Sequence, residues 1–245
     1  MARSRHAYRG DLAYIHDVGY GYFATGAAPW LLALFQRNQI ERGLVVDLGC
    51  GSGIWAQALG AAGYDVLGFD ISPAMIALAR KRAPKAEFRC ESFLDVRLPP
   101  CAAVTAMGEI LNYQFDERNN FQHLARLFRR IHDALPPGGL FVFDGAEPGR
   151  VPGGYRERNA AGADWACLSN STEDQKQRTL TRDITTFRKV EKLYRRNHEV
   201  HRLRLFDREQ VADELRKIGF RVRVIRGYGE LRFPVGYVGF VARKA

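Results

Sequence analysis

Two hydrophobic periodicities alternate along this chain. From residue 11 to 37 apolar and aromatic residues recur at helical spacing: Leu12, Tyr14, Ile15, Val18, Tyr20, Tyr22 and Phe23, then Trp30, Leu31, Leu34 and Phe35. This predicts two helices, with Pro29 in the first turn of the second. From Leu44 onward short apolar runs take over, predicting strands at 44–47, 65–69, 86–90, 102–107 and 139–144. Helical stretches separate them, including 73–82 and 117–135. Strands alternating with helices predict an α/β fold with a doubly wound, mostly parallel sheet covered on both faces.

The rhythm breaks at Gly145. Residues 146–162 are rich in Gly, Pro and Arg and read as a loop. Period-two segments follow at 164–169, 179–190 and 193–206. In the last, Leu193, Arg195, Asn197, Glu199, His201, Leu203 and Leu205 share one face, with His198 on the other. Polar residues on both faces predict an antiparallel layer with a solvated side. Asp207 and Gln210 form a capping box that opens a helix ending near Gly219. Two closing strands are expected at 220–226 and 237–243.

Composition narrows the class only modestly. A chain of 245 residues suits one domain with insertions. No apolar run approaches the ~20 residues of a membrane span, and Met1 to His6 lacks the apolar core of a secretory signal. The four cysteines (Cys50, Cys90, Cys101, Cys167) show neither metal-ligand spacing nor a disulfide framework, so a reducing, cytoplasmic setting and no metal are expected. Residues 1–149 carry equal numbers of acidic and basic side chains, and the net charge of +10 belongs to the part from Arg150 onward. That asymmetry reads either as attraction for nucleic acid or an anionic substrate, or as an Arg-rich solvated surface.

The candidate chemistry lies where the first strand ends. Asp47 closes an apolar run, Gly49, Gly51 and Gly53 follow, and a helical pattern starts at Ile54. Strand, glycine turn and helix in that order let a ligand approach bare backbone at a helix N-terminus. Asp70 ends the second strand about 20 residues on, where α/β nucleotide sites grip ribose hydroxyls. The spacing is neither the Gly-x-Gly-x-x-Gly of dinucleotide sites nor a phosphate-binding P-loop.

The chain resembles the class I S-adenosylmethionine-dependent methyltransferases of small-molecule type. The resemblance rests on Asp47 to Gly53; on Asp70-Ile71-Ser72 with Met75; and on Cys90-Glu91-Ser92-Phe93. Gly108-Glu109-Ile110-Leu111-Asn112-Tyr113 and Leu135-Pro136-Pro137-Gly138-Gly139 complete it, in the family's order, over about residues 43–145. It implies a seven-stranded Rossmann-like sheet and four parts of one domain: an N-terminal helical lid (1–42), the donor-binding core (43–145), an antiparallel insert over the acceptor (146–206), and a closing helix and hairpin (207–245). It also implies S-adenosyl-L-methionine as cofactor and S-adenosyl-L-homocysteine as product.

The implied roles follow residue by residue. Gly49, Cys50, Gly51 and Gly53 form the loop whose backbone amides face the donor's methionine part, with Asp47 organising it. Asp70 holds the ribose, with Ile71 and Met75 beside it. Glu91, Ser92 and Phe93 meet the adenine, and Met107, Gly108 and Glu109 supply carbonyls from the fourth strand. For the acceptor, Tyr14, Tyr20, Asn112, Tyr113 and Arg195 are expected contacts, Arg195 as a clamp for an anionic group. Candidate general bases are His16, Glu109 and His201, since a side chain titrating near neutrality suits deprotonation of a hydroxyl or amine. O- or N-methylation of a small metabolite is the leading expectation. RNA methylation by the basic C-terminal part and a non-catalytic donor-binding protein are the alternatives. The chain shows no recognisable RNA-binding module and lacks the Asn/Asp-Pro-Pro-aromatic segment of adenine amino-methylation.

Overall fold

At the centre of the fold β1 (Leu44–Leu48) pairs in parallel with β2 (Asp65–Asp70) on one side and β4 (Ala103–Ala106) on the other. In this computed structural model, which describes residues 7–245, β3 (Glu87–Cys90) extends the sheet beyond β2, and β5 (Leu140–Ala146) extends it beyond β4. Residues 1–6, where the expected lid begins, lie outside the described residues. The last strands, β10 (Phe220–Ile225) and β13 (Tyr237–Lys244), close the sheet in the order β10-β13-β5-β4-β1-β2-β3, with β13 antiparallel to both neighbours. Strand order reverses between β1 and β4, so a crevice opens above their carboxyl ends.

Helices cover both faces. On one lie α5 (Phe121–Ala134) and α6 (Arg208–Ile218), burying Leu127, Phe128, Ile131 and Leu215 against Val104, Phe141 and Phe240. On the other, α2 (Tyr22–Arg37), α3 (Ile54–Ala61) and α4 (Pro73–Arg82) bury Phe35, Trp55 and Ile76 against Val45, Val66 and Val142. Local signals place the helix starts. Ser72 caps α4 by accepting from the Met75 amide at 3.2 Å, and Asp207 caps α6 by accepting from Glu209 and Gln210. Asn120 accepts from the His123 amide at 3.1 Å, so α5 begins at Phe121 and not at the expected residue 117.

Two sequence expectations are corrected here. Pro29 lies in the middle of α2, where it forgoes one backbone bond, and Gly21 marks the junction with α1 (Gly10–Tyr20). Residues 146–162 are not wholly loop, because β6 (Tyr155–Ala161) forms the edge of a second sheet. That sheet is an antiparallel meander of β6, β7 (Trp165–Asp174), β8 (Thr179–Val190) and β9 (Leu193–Arg204). A short hairpin, β11 (Gly227–Tyr228) and β12 (Leu231–Arg232), packs on α2. The insert's inner face meets α1 through Leu12, Ile15, Trp165, Cys167 and Ile184. No helix among the described residues is long and apolar enough to cross a membrane.

One glycine fixes how closely α3 approaches α4. Gly53 has φ +78, and a Cβ there would stand 2.9 Å from the Ala79 Cα. The Ala79 Cα is backbone and cannot swing aside. Gly53→Ala is expected to cost about 1–3 kcal/mol, from the left-handed conformation plus the contact, read as a lowered midpoint in urea unfolding.

Candidate functional site

Above the crevice lie two adjoining cavities. The smaller, about 50 Å³, is lined by Phe69, Asp70, Ile71, Glu91, Ser92 and Phe93, among others. The larger, about 310 Å³, runs from the β1 and β4 ends to the inner face of the insert. Asp70, Gly49, Tyr8, Ile110 and Tyr113 line both, so the two lie side by side.

Asp70 sits at the junction because β2 ends there. Its Oδ2 accepts from the Gly51 amide at 3.0 Å and its Oδ1 from the Ser72 amide at 2.8 Å. Burial pushes its pKa up to about 6, against those amides. A carboxylate offers about four lone-pair positions, so capacity remains for two hydroxyls. Asp47 is buried at the end of β1 and accepts from Thr105 Oγ1 at 2.7 Å; Thr105 in turn accepts from Trp55 Nε1 at 3.2 Å. Burial lifts Asp47 to about 7, and the nearby Asp70 charge adds to the rise. Two adjacent acids with raised pKa values suit a cationic ligand that would draw them back to the charged form.

The glycine loop works by shape more than by donation. The Gly49 amide donates to Phe69 O at 2.7 Å, that of Gly51 to Asp70, and that of Gly53 to Cys50 O at 3.0 Å. The expectation that these amides face the donor is therefore corrected: all three already have protein partners. What the glycines supply is left-handed backbone and room. A Cβ on Gly51, at φ +53, would meet nothing within 4 Å, so the space beside it stays open to a ligand. This cradle fits the adenosyl donor that the resemblance implies. Cys50, Met75, Met107 and Gly108 also line the larger cavity.

Beyond β4 the backbone turns at Gly108 (φ +90) and Glu109 (φ +61). Asp144 Oδ1 holds both their amides, at 2.8 and 2.7 Å, and Asp144 is itself bonded by the hydroxyls of Tyr228 and Tyr237. Glu109 is buried between two arginines: Arg150 Nε donates to its Oε1 at 2.6 Å and Arg182 to its Oε2. Burial raises the Glu109 pKa, but Arg182 and Arg150 outweigh it, and the carboxyl stays below its ordinary range. Such a group is a poor proton acceptor.

His201 has the geometry that Glu109 lacks. It is fully buried on the inner face of β9, and its Nε2 lies 2.9 Å from Glu199 Oε2. Glu199 Oε1 accepts from the Arg9 amide at 2.8 Å. With Nε2 protonated toward Glu199, Nδ1 becomes an acceptor, and it has no partner. Burial lowers the His201 pKa, the Glu199 carboxylate partly offsets this, and Arg182 adds to the lowering, so the ring is neutral at physiological pH. Tyr8 and Phe115 pack against it, both rings at 4.8 Å.

The remaining expected residues divide. His16 and Tyr20 line the larger cavity, with Leu12 one turn before them on α1. Burial depresses the His16 pKa to about 4, so it stays neutral. Tyr113 lines both cavities, and its hydroxyl lies 3.1 Å from that of Tyr8 and accepts from Arg182 at 2.9 Å. Tyr14, Asn112 and Arg195 line neither cavity, which corrects their placement at the acceptor. The Tyr14 hydroxyl donates to Asp164 at 2.8 Å. Asn112 spends its amide on the backbone of Ala146 and Arg204, pinning the chain after β4 to the insert. Arg195 pairs with Asp11 of α1. Sequence reasoning missed Tyr8, Asp116, Asp144, Arg150 and Arg182. Two of these had a usable signal: Asp144 ends the strand expected at 139–144, and the period-two pattern of β8 places Arg182 beside Ile184.

Comparison with known proteins agrees with this geometry. The family described as Methyltransferase domain matches residues 45–139. Over 226 residues the chain is 24% identical to the dTDP-3-amino-3,6-dideoxy-alpha-D-glucopyranose N,N-dimethyltransferase of Streptomyces fradiae, covering 90% of this chain and 88% of that one. An S-adenosylmethionine-dependent methyltransferase from Clostridium acetobutylicum superposes with a TM-score of 0.79 at 16% identity, covering 96% and 98%. The S-adenosylmethionine-bound amino pentose methyltransferase CalS10 from Micromonospora echinaspora gives 0.74 at 21% identity, covering 96% of each chain. At these identities the two structures speak for a shared fold.

Proposed function

Because the chain is a class I S-adenosylmethionine-dependent methyltransferase, we propose that it methylates a hydroxyl or amine of a small, polar, sugar-like acceptor held in the larger cavity. The observation that carries this reading is the Glu199–His201 pair, in which Nδ1 is buried without a hydrogen-bond partner in a ring that lines the cavity. The names of the Streptomyces and Micromonospora relatives support the sugar class.

S-adenosylmethionine supplies a methyl carbon made electrophilic by its positive sulfur, with S-adenosylhomocysteine as product. The chain's own task is to align the partners, worth up to ~7–11 kcal/mol of barrier lowering. In this reading Asp70 binds the ribose hydroxyls, Glu91, Ser92 and Phe93 border the adenine, and Asp47 faces the ammonium end. His201 takes the acceptor's proton on Nδ1 while Glu199 steadies the ring and the charge that forms. Glu109 anchors Arg150 and Arg182 and takes no proton. Tyr20, Tyr113 and His16 wall the acceptor in, and no metal is invoked.

A recessed chamber of about 310 Å³ between the sheet and the insert favours a metabolite over RNA. Of the C-terminal arginines, Arg150, Arg182, Arg188, Arg195, Arg208 and Arg226 are committed to internal ion pairs. Cysteines scattered singly along the sequence accord with a cytoplasmic setting. The test is transfer of methyl label from S-adenosylmethionine to amino and hydroxy sugars and their nucleotide esters. Label in such a product, with equimolar S-adenosylhomocysteine, is expected. Label entering only RNA from a cell extract would reverse the assignment.

A further inference from the structure

Two cations in the cavity wall have no part in the chemistry above. Arg156 and Arg158 stand on β6, two residues apart, and both line the larger cavity. Neither guanidinium has a hydrogen-bonded or ion-paired partner among the described residues, and Arg156 Nε is buried without one. Burial, then the charges of Arg158, Arg150 and Arg182, push the Arg156 pKa down, and Glu109 offsets this only in part. A half-buried cation facing other cations lacks its counter-charge.

We propose that Arg156 and Arg158, with the hydroxyls of Ser171 and Ser169 opposite them, form a subsite for a phosphate or diphosphate arm of the acceptor. The register places Arg156 across from Ser171 and Arg158 across from Ser169, and both serines line the cavity. Residues two apart on a strand share a face and lie ~6.7 Å apart, a span that lets two guanidiniums grip neighbouring phosphoryl groups. Charge favours phosphate over a single carboxylate. Arg150 and Arg182 already exceed Glu109 by one positive charge, and Arg156 and Arg158 add two more.

The subsite also states what part of the acceptor it holds. Arg156, Ser171, Arg182 and His201 occupy one cross-strand row of the insert. Three strand spacings of ~4.8 Å put the ends of that row ~14 Å apart. The anion is therefore a handle at one end, and the methylated group lies at the other, near the base. Carboxyl methylation, where the anion is itself the nucleophile, does not fit this spacing.

The inference rests on the acceptor chamber proposed above, so its test separates the two. Enzyme saturated with S-adenosylhomocysteine is titrated calorimetrically at low salt with inorganic pyrophosphate, inorganic phosphate and succinate. Pyrophosphate is expected to bind more tightly than phosphate, and both more tightly than succinate. R156Q/R158Q should weaken pyrophosphate at least tenfold while leaving S-adenosylhomocysteine affinity unchanged. R158Q alone, at an exposed position, should weaken it severalfold without touching the fold. No pyrophosphate binding, equal binding by the double variant, or a preference for succinate each overturns the phosphate subsite. Failure to bind S-adenosylhomocysteine would instead strike the donor assignment.

Discussion

His201→Gln is expected to lower kcat by about 10²–10⁴-fold, the range for loss of a positioned general base, with S-adenosylhomocysteine affinity unchanged. The base works when neutral. Because burial holds the His201 pKa below the ordinary histidine value of about 6.5, kcat/KM of the wild type should rise with pH through an apparent pKa under that value and then level off. The acidic limb should vanish in the glutamine variant. Glu199→Gln removes the carboxylate that raises this pKa, so its limb should move to lower pH, with a smaller fall in kcat. An unchanged limb in His201→Gln would assign the proton transfer to another group. Thermal melts with bound S-adenosylhomocysteine separate a chemical defect from a folding one.

Asp70→Ala should weaken donor and product by one to two decades in Kd. A charged hydrogen bond is worth about 1.5–3 kcal/mol, and a tenfold change corresponds to about 1.4 kcal/mol. The substitution also strands the Gly51 and Ser72 amides, so part of the loss comes from a loosened glycine loop. Asp70→Asn keeps one oxygen for those amides and should lose less. Acceptor KM at saturating donor should stay near the wild-type value, since Asp70 stands at the cavity junction and not on the insert. Equal donor affinity in the alanine variant would remove the ribose role.

The donor half was legible in the chain because its signals are local. Asp47, the three glycines and Asp70 sit at strand ends, and a strand end in an alternating βα pattern fixes where a side chain emerges. Helix starts at Ser72 and Asp207 were legible for the same reason, whereas Asn120 competed with a charged stretch before it. The acceptor half was less so. β6 escaped notice because its inward positions hold Arg156 and Arg158 and its outward ones are also polar, which leaves no apolar alternation to read. Arg195 does share a strand face with His201, as its spacing predicts, but stands at the far end of β9, over Asp11. Tyr14 illustrates the same limit on a helix. Leu12, His16 and Tyr20, each four apart, form the stripe toward the cavity, and Tyr14 falls off it. Periodicity reports which face a residue occupies; what lies opposite depends on partners far away in sequence.

The contact between Arg9 and Glu199 gives the first helix more than a roofing role. The carboxylate that steadies His201 is held by the amide just ahead of α1, and Tyr8 packs on the imidazole. Displacing this segment would admit solvent and leave the imidazole unbuttressed in one movement. The residues just ahead of α1 thus both shield the imidazole and hold its carboxylate partner, so a substitution that loosens them should disturb burial and orientation of His201 together.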